Sequence, residues 1–135
     1  MRLPPEIREL VEARNVAHLA TILPDGAPTS IPVWVMLEGE YLLVATGALT
    51  SKARNTRRDP RVALSIVDQH DPYAAANLRG HVIEQREDED FRVIDALAVK
   101  YTGDPFPFRH PGRVALVIAV DRAEHRKLPF RVAEG

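Results

Sequence analysis

The sequence contains no cysteine, which excludes a disulfide scaffold, a thiolate metal site and a cysteine nucleophile. It also lacks an excess of charge of either sign, because 18 basic and 19 acidic side chains leave a formal net charge of −1. General attraction to nucleic acid or to an anionic membrane is therefore not expected. Only eight of the 135 residues are aromatic, whereas proteins that stack on single-stranded nucleic acid present exposed rings along a basic groove. We expect no nucleic-acid partner and no membrane partner.

Long apolar runs are missing as well. The longest runs, residues 31–37 and 114–120, have seven residues each, whereas a membrane-spanning helix needs about 20. Residues 1–15 are charged and helix-like and lack the apolar stretch of a secretory signal. A cytoplasmic protein is the expectation.

Familiar catalytic signatures are absent from the sequence. It contains no Gly-x-Ser-x-Gly elbow, no Gly-x-Gly-x-x-Gly turn and no phosphate-loop motif. No two histidines have His-x-x-x-His spacing, so we predict no metal site; the five histidines are His18, His70, His81, His110 and His125. No side chain is predicted to act as a catalytic nucleophile or base.

The patterns that are present predict a single mainly β domain over residues 1–135, with a short N-terminal helix, a barrel at 16–126 and a tail at 127–135. Apolar alternation and turn signals such as Pro24-Asp25-Gly26 predict six antiparallel strands joined by hairpins. The predicted strands are 16–23, 29–37, 41–46, 61–68, 75–87 and 114–120, and the predicted helices are 4–13, 51–58 and 88–101. Six strands of this size close most readily into a small barrel.

Two finer expectations concern packing. Eleven prolines predict short, sharply bounded elements, with residues 71–72 in a loop. In the last strand, large side chains such as Leu116 and Ile118 alternate with Ala115 and Ala119, and we expect the small face to line the crowded barrel interior.

Residues 50–61 are the most informative local feature, a basic segment that contains the predicted helix 51–58, here called the basic helix. Thr50 and Ser51 offer hydroxyl groups at its start, where the backbone N–H groups have no partners, and Lys52 follows in the first turn. A cation is electrostatically misplaced there unless an anion is near, so this helix start is typical of a phosphate site. The same pattern also fits a solvated surface helix whose arginines pair locally with Asp59. The residues alone leave both interpretations open.

Two aromatic features also have two interpretations each. Residues 105–111, here called the proline arm, carry Phe106, Phe108 and Arg109 between three prolines. They fit either a lid or interface arm over a planar ligand, or a connector that places both phenylalanines in the core. Trp34 lies among apolar strand residues and fits either a core position or a ligand platform.

Taken together, the stretches VAHLATILPDGAPTSIPVWVML, Lys-x-Arg-Asn-x-x-Arg-Asp-Pro-Arg-Val (52–62) and Lys-Tyr-x-Gly-Asp-Pro-x-Pro-Phe-Arg (100–109) resemble a known family. It is the pyridoxamine-phosphate-oxidase-like split-barrel flavoproteins. Within it the sequence looks like the oxidoreductases that depend on the deazaflavin coenzyme F420, a branch common in actinobacteria. The resemblance runs from about residue 5 to residue 126, and its two motifs are specific in combination.

This resemblance implies a six-stranded split β-barrel of the FMN-binding type that forms a homodimer, with F420 bound at the subunit interface. It implies hydride transfer between the deazaflavin and a conjugated small-molecule substrate. The implied cofactor-binding residues are Ile31, Pro32, Val33, Trp34 and Thr46 along the ring, Thr50, Ser51, Lys52, Asn55 and Arg58 near the phosphate, and Tyr73, Arg79, Phe108 and Arg109 from the partner subunit. The last group comes from regions 73–79 and 106–109. The alternatives are an FMN-binding oxidoreductase of the same fold and a non-catalytic flavin- or F420-binding protein.

Overall fold

Seven strands and three helices alternate along residues 1–134, the part of the chain that the computed structural model describes. The strands are β1 (Ala17–Ile22), β2 (Pro28–Val33), β3 (Met36–Glu38), β4 (Tyr41–Gly47), β5 (Arg61–Asp68), β6 (Asp71–Glu87) and β7 (Arg113–Lys127). The helices are α1 (Pro5–Glu12), α2 (Ser51–Arg58) and α3 (Arg92–Thr102). Both α2 and β5 have the predicted bounds. None of the helices in this part of the chain is long and apolar enough to span a bilayer.

All seven strands form one antiparallel sheet in the order β2-β1-β5-β6-β7-β4-β3. Its two edge strands, β2 and β3, are consecutive in the chain, because β2 ends at Val33 and β3 begins at Met36. Three Cα-to-Cα steps span at most about 11 Å. The two edges must therefore approach each other at Trp34 and Val35, and the sheet is rolled into the predicted barrel. The prediction of six strands was wrong by one, since this turn divides the predicted strand 29–37.

The two longest strands correct the expectation of short elements. Strand β6 has 17 residues and includes Pro72 in the predicted loop, and β7 has 15 residues and extends to Lys127, where the tail was expected. Their pairing bends at two irregularities, one of them between Arg79 and Gly80. A Cβ atom at Gly80 would lie 2.1 Å from the carbonyl oxygen of Ala119, so only glycine fits this close approach. Proline does not shorten these strands, because Pro72 is the second residue of β6 and β7 contains no proline.

The barrel interior holds the larger of two apolar clusters. Leu116, Ile118 and Val120 of β7 pack there with α1, while Ala115 and Val117 on the opposite face lie beneath α3. The expectation that the small face lines the interior was wrong. The interior accommodates large side chains, whereas close packing of a helix on the outer face requires small ones.

Helix α3 begins at Arg92, four residues later than predicted. Phe91 turns the chain just before it with a left-handed φ of 61°. The Asp88 carboxylate is 1% exposed and accepts hydrogen bonds from the backbone N–H groups of Val93 and Ile94 at 2.9 and 3.0 Å. The Asp88 carboxylate therefore accepts hydrogen bonds from the N–H groups at the start of α3, although Asp88 itself precedes the helix.

Candidate functional site

A cavity of about 410 Å³ lies outside the barrel interior, where the β2–β3 turn, α2, α3 and the proline arm meet. Its lining is predominantly apolar, with two cations and no carboxylate among the residues that the structure describes. The lining residues are Val16, Pro32, Val33, Trp34, Ala45, Lys52, Ile94, Leu97, Phe106 and Arg113. Four of them, Pro32, Val33, Trp34 and Lys52, are predicted site residues. Another cavity of about 410 Å³, beside α1, contains none of the predicted residues.

Trp34 forms an aromatic wall of this cavity. Its ring stacks on Tyr101 of α3 with centroids 5.5 Å apart and planes 7° apart. Trp34 is thus neither a pure core residue nor a free platform, because its ring packs against α3 and also lines the cavity. The rigid support limits its rotation, which suits a wall against which a flat ligand ring could lie.

Helix α3 also holds the backbone next to Trp34. The Tyr101 hydroxyl donates to the carbonyl oxygen of Asn15 at 2.7 Å and accepts from the Val35 N–H at 3.3 Å. The Lys100 ammonium donates to the carbonyl oxygens of Val11 and Val35 at 2.5 and 2.6 Å. Burial raises the pKa of Tyr101 and lowers the pKa of Lys100 to about 8. The turn that closes the barrel is therefore tied to α1 and α3.

Two threonines build the turn that leads into α2. Thr50 is the N-cap residue, and its hydroxyl donates to the carbonyl oxygen of Gly47 at 2.9 Å. Because that proton is committed, the hydroxyl of Thr46, 2.8 Å away and on a residue only 4% exposed, donates to Thr50. Ser51 is exposed at the first position of the helix. These contacts orient the helix start.

Lys52 and Arg113 form the positive end of the cavity. Arg113 begins β7 and pairs in register with Gly47, so it lies beside the turn that leads into α2. The pKa of Lys52 is lowered, first by burial and second by the charge of Arg113. Burial likewise lowers the pKa of Arg113, whose guanidinium lies over the Phe106 ring at 5.0 Å. Two cations thus share a desolvated region that no carboxylate of the described lining neutralises.

Two other cations of residues 50–61, Arg57 and Arg61, have partners, and Arg54 is exposed to solvent. Arg57 donates to Gln85 at 2.9 Å and to the carbonyl oxygen of Ala48 at 2.8 Å. Arg61 binds Asp59 at 2.7 Å, and this lowers the pKa of the Asp59 carboxyl to about 2. Local pairing with Asp59 is therefore found for Arg61, just beyond α2, whereas Arg57 is held by more distant residues.

Asn55 and Arg58, two predicted phosphate-site residues, do not line the cavity. Asn55 is 3% exposed and its amide donates to the Thr21 hydroxyl at 3.0 Å. Arg58 donates to the Asn55 side-chain oxygen at 3.1 Å and to the carbonyl oxygen of Ile22. Both residues fasten α2 to β1.

The proline arm is clamped to α3. Arg109 binds Asp95 through two contacts of 2.7 and 3.2 Å, and these hydrogen bonds, with the charge of Arg109, hold the pKa of Asp95 below its usual range. The Arg109 guanidinium also lies over the Phe91 ring at 4.1 Å. Asp95 also accepts from the backbone N–H of Phe106 at 3.1 Å. Phe106 lines the cavity of its own chain, and Phe108 is 61% exposed, so the interpretation with both rings in the core is wrong.

The remaining predicted residues lie apart from the cavity lining. Ile31 packs against the main core cluster. Tyr73 contacts Phe130 edge-on at 5.4 Å, and Arg79 is exposed on β6 opposite Arg122. Tyr73, Arg79, Phe108 and Arg109 were assigned to the site of a partner subunit, and that assignment stays a prediction.

Arg113 is the charged lining residue that the sequence analysis missed. No local pattern marks it, since it is one basic residue at the start of an apolar strand. Only the pairing of β7 with β4 brings it beside the start of α2. A cue was available in principle, because the glycine and proline before it expose the beginning of the strand.

Comparison with known proteins gives one family and several similar folds. The family model for pyridoxamine 5'-phosphate oxidase matches residues 3–127. No curated protein matches the chain. A solved structure described as an F420 reductase is 28% identical with a TM-score of 0.83, over 90% of this chain and 98% of that chain.

Two further solved structures share the architecture. A conserved hypothetical protein from Mycobacterium tuberculosis is 26% identical with a TM-score of 0.80, over 100% of this chain and 94% of that chain. General stress protein 26 from Bacillus anthracis is 18% identical with a TM-score of 0.70, over 90% of this chain and 91% of that chain. The last similarity shows the fold alone.

Proposed function

The chain belongs to the pyridoxamine 5'-phosphate oxidase family, and from that premise we propose that it is an oxidoreductase that binds a flavin-type cofactor, coenzyme F420, in the cavity beside Trp34. The proposed reaction transfers a hydride between the deazaflavin and a conjugated small-molecule substrate. The observation that supports it best is the composition of the cavity. One part is apolar and is bounded by the Trp34 ring, and the other part carries Lys52 and Arg113, with no carboxylate among the lining residues that the structure describes.

The residues present fit such a cofactor. A flat ring system fits the apolar part of the cavity that Pro32, Val33 and the Trp34 ring line. An anionic group matches the start of α2 together with Lys52 and Arg113. The orphaned Nε of Arg113, buried without a hydrogen-bond partner, is a donor that such a group could satisfy.

The bound cofactor would supply the hydride chemistry, which explains why the chain needs no nucleophile. The protein's own residues then have three tasks. Trp34, held by Tyr101, orients the ring; Lys52 and Arg113 bind the anionic end; Ile94, Leu97 and Phe106 keep water from one wall.

The choice of F420 over FMN rests on the similar F420 reductase. The arginines in and just after α2 support binding of the oligoglutamate tail of F420 less than their number suggests, because Arg57, Arg58 and Arg61 have partners within the chain. FMN binding by the same cavity is the second candidate, favoured by the compact positive end.

We also propose a homodimer with the cofactor site at the subunit interface. Val16, at the cavity, is 45% exposed, and Val67 on β5 and Ile83 on β6 are 40% and 48% exposed. A second copy would cover such side chains. Light scattering of the purified protein would measure the mass directly, and a monomer at micromolar concentration would contradict this part of the proposal.

A titration of the purified protein with F420, FMN and a DNA oligonucleotide, followed by fluorescence, tests the cofactor assignment. We expect saturable binding of F420, weaker binding of FMN and no binding of DNA. Binding of FMN without binding of F420 would replace the cofactor, and binding of neither would refute the proposed function. Turnover of reduced F420 with a panel of conjugated enones then separates an enzyme from a protein that only stores the cofactor.

A further inference from the structure

Phe106 forms a wall of the cavity beside Trp34, but it lies in a segment without regular secondary structure. Residues 103–112 connect α3 to β7 as neither helix nor strand, and Phe106 is the one residue among them that is not exposed. Connections of this kind have no ladder or helix hydrogen bonds to fix their backbone, and they open more easily than helices and strands. The position of the Phe106 wall must therefore depend on other contacts.

Two charged side chains supply those contacts. Asp95 of α3 accepts from the backbone N–H of Phe106 at 3.1 Å, and Arg109 donates to the Phe106 carbonyl oxygen at 3.0 Å. Asp95 and Arg109 also bind each other at 2.7 and 3.2 Å. The three residues form a closed ring of hydrogen bonds, here called the arm clamp, that satisfies both backbone polar groups of Phe106. Within residues 1–134, every hydrogen bond made by 105–111 belongs to this clamp.

The arginine of the arm clamp is itself held in place. Its guanidinium lies over the Phe91 ring at 4.1 Å. Phe91 precedes α3 with a left-handed φ of 61°, a conformation that bulky residues rarely adopt. Such conformations persist where the surrounding structure over-determines them, and they cluster at ligand clamps and active sites. The clamp thus joins the proline arm to α3, the helix that contributes Ile94 and Leu97 to the same cavity.

The same chemistry recurs at the N-terminus of the chain. Glu40 accepts from the backbone N–H of Leu3 at 2.7 Å and from Arg8 at 3.0 Å, and Arg8 also donates to the carbonyl oxygen of Gly39 at 3.2 Å. None of these residues lines the cavity beside Trp34. This arrangement, here called the N-terminal clamp, therefore combines a carboxylate, an arginine and two backbone groups without supporting a wall of that cavity.

We propose that Asp95 and Arg109 are positioning residues: through the arm clamp they hold Phe106 as a fixed wall against which a planar ligand ring binds. A wall that is ordered before the ligand arrives lowers the conformational entropy that binding costs, and it keeps water away from the bound ring. The identity of that ring rests on the proposed function, whereas the fixed position of Phe106 does not. The N-terminal clamp supplies the matched control.

The single tryptophan of the chain makes the position of Phe106 measurable without a ligand. Trp34 lines the same cavity, so acrylamide quenching of its fluorescence reports how open the cavity is. We expect Asp95→Ala to raise the quenching constant of the ligand-free protein towards that of Phe106→Ala. Asp95→Asn keeps an acceptor for the Phe106 N–H and should give an intermediate value, and Glu40→Ala should match the wild type. Equal quenching in the wild type and in Asp95→Ala would overturn the proposal.

Titration with F420 and with FMN measures the effect on binding. Asp95→Ala should raise the Kd of whichever ring binds the wild type at least about threefold, the scale of an exposed ion pair, while Glu40→Ala leaves it unchanged. In the Phe106→Ala background, Asp95→Ala should cause no further loss, because the clamp acts through Phe106. Additive losses would contradict this. So would a lower melting temperature of Asp95→Ala with unchanged affinity, which is the result expected of a purely structural clamp.

Arg109→Gln separates this role from direct contact with a ligand, and it is the second variant should Asp95→Ala fail to fold. If Arg109 positions Phe106, then Arg109→Gln and Asp95→Ala should raise both quenching and Kd. A loss of affinity in Arg109→Gln alone would mean that Arg109 touches the ligand itself, and the positioning role would fall. If the wild type binds neither F420 nor FMN, the proposed function fails, whereas the quenching comparison still decides whether the clamp holds Phe106.

Discussion

The two halves of helix α2 carry similar charge but play different parts. In the C-terminal half, Arg57 and Arg58 donate to Gln85 and Asn55, and Arg61, just beyond the helix, donates to Asp59. In the first turn, Lys52 faces a cavity that holds another cation and no carboxylate of the described residues. The number of cations in a segment therefore does not locate an anion site, since Arg54 is merely exposed. A half-buried cation without an anionic partner, such as Lys52, is the better indication.

The cations that have partners find them both nearby and far along the chain. Arg61 contacts the Asp59 carboxylate two residues away, whereas Arg57 donates to Gln85 on β6. Lys52 instead shares a cavity with Arg113, which arrives through the pairing of β4 with β7. Contacts between distant elements therefore decide both which charges are satisfied and which stay available for a ligand.

The largest effect should come from the paired half of the helix. Asn55→Ala removes a buried amide and leaves the hydroxyl of Thr21 without its partner. We expect the free energy of unfolding to fall by about 1–3 kcal/mol, with cofactor affinity nearly unchanged in the folded fraction. Urea unfolding and a ligand titration measure the two quantities. A large loss of affinity with normal stability would place Asn55 back in the cofactor site.

Substitution of Lys52, in the first turn of α2, should lower cofactor affinity without lowering stability. Lys52→Ala removes a half-buried cation that has no anionic partner in the described chain, so the unfolding free energy should not decrease. Cofactor affinity should fall by at least about 1 kcal/mol, the scale of a hydrogen bond to a charged group. Arg126→Ala is the matched exposed control. Unchanged affinity in Lys52→Ala would remove this side chain from the phosphate site.

The smallest effects are expected in the dependence of stability on pH. The environment of Lys52 should act at alkaline pH, and the Asp59–Arg61 pair should act at acid pH. A lowered pKa of Lys52 means that the folded protein releases this proton before the unfolded chain does. Stability of the ligand-free protein should therefore rise with pH between that lowered value and 10.5. Affinity for an anionic ligand should fall over the same range, and Lys52→Ala should show neither change.

The Asp59–Arg61 pair, just beyond the end of α2, should affect stability at acid pH. Asp59, with its pKa lowered to about 2 by Arg61, contributes stability above its unfolded value of 3.8 and loses it as the pH falls through about 2. Unfolding followed from pH 5 to pH 2 in the wild type and in Asp59→Asn measures this contribution. The same acid dependence in both proteins would show that the pair is too well solvated to matter.

Much of the local structure could be predicted from the sequence. The alternation of β5 and the hydroxyl residues Thr50 and Ser51 at the start of the basic segment predicted the correct bounds of β5 and α2, and the structure shows Thr50 to be the N-cap. The start of α3 was predicted four residues early, because the buried Asp88 stabilises the helix from outside it. The predicted strand 29–37 is divided at Trp34 and Val35, since the barrel can close only if the chain crosses there from one sheet edge to the other.

The sequence by itself determined the class of the protein. Apolar alternation and turn signals predict a small antiparallel barrel, and the combined motifs at 52–62 and 100–109 resemble the split-barrel flavoproteins. Both depend only on neighbouring residues. The tertiary structure alone decided which cations stay free. Arg113 reaches Lys52 because β7 pairs with β4, and Asn55 and Arg58 turn to β1 because α2 packs on it. The charge balance of a site depends on contacts between distant segments, which local sequence patterns do not contain.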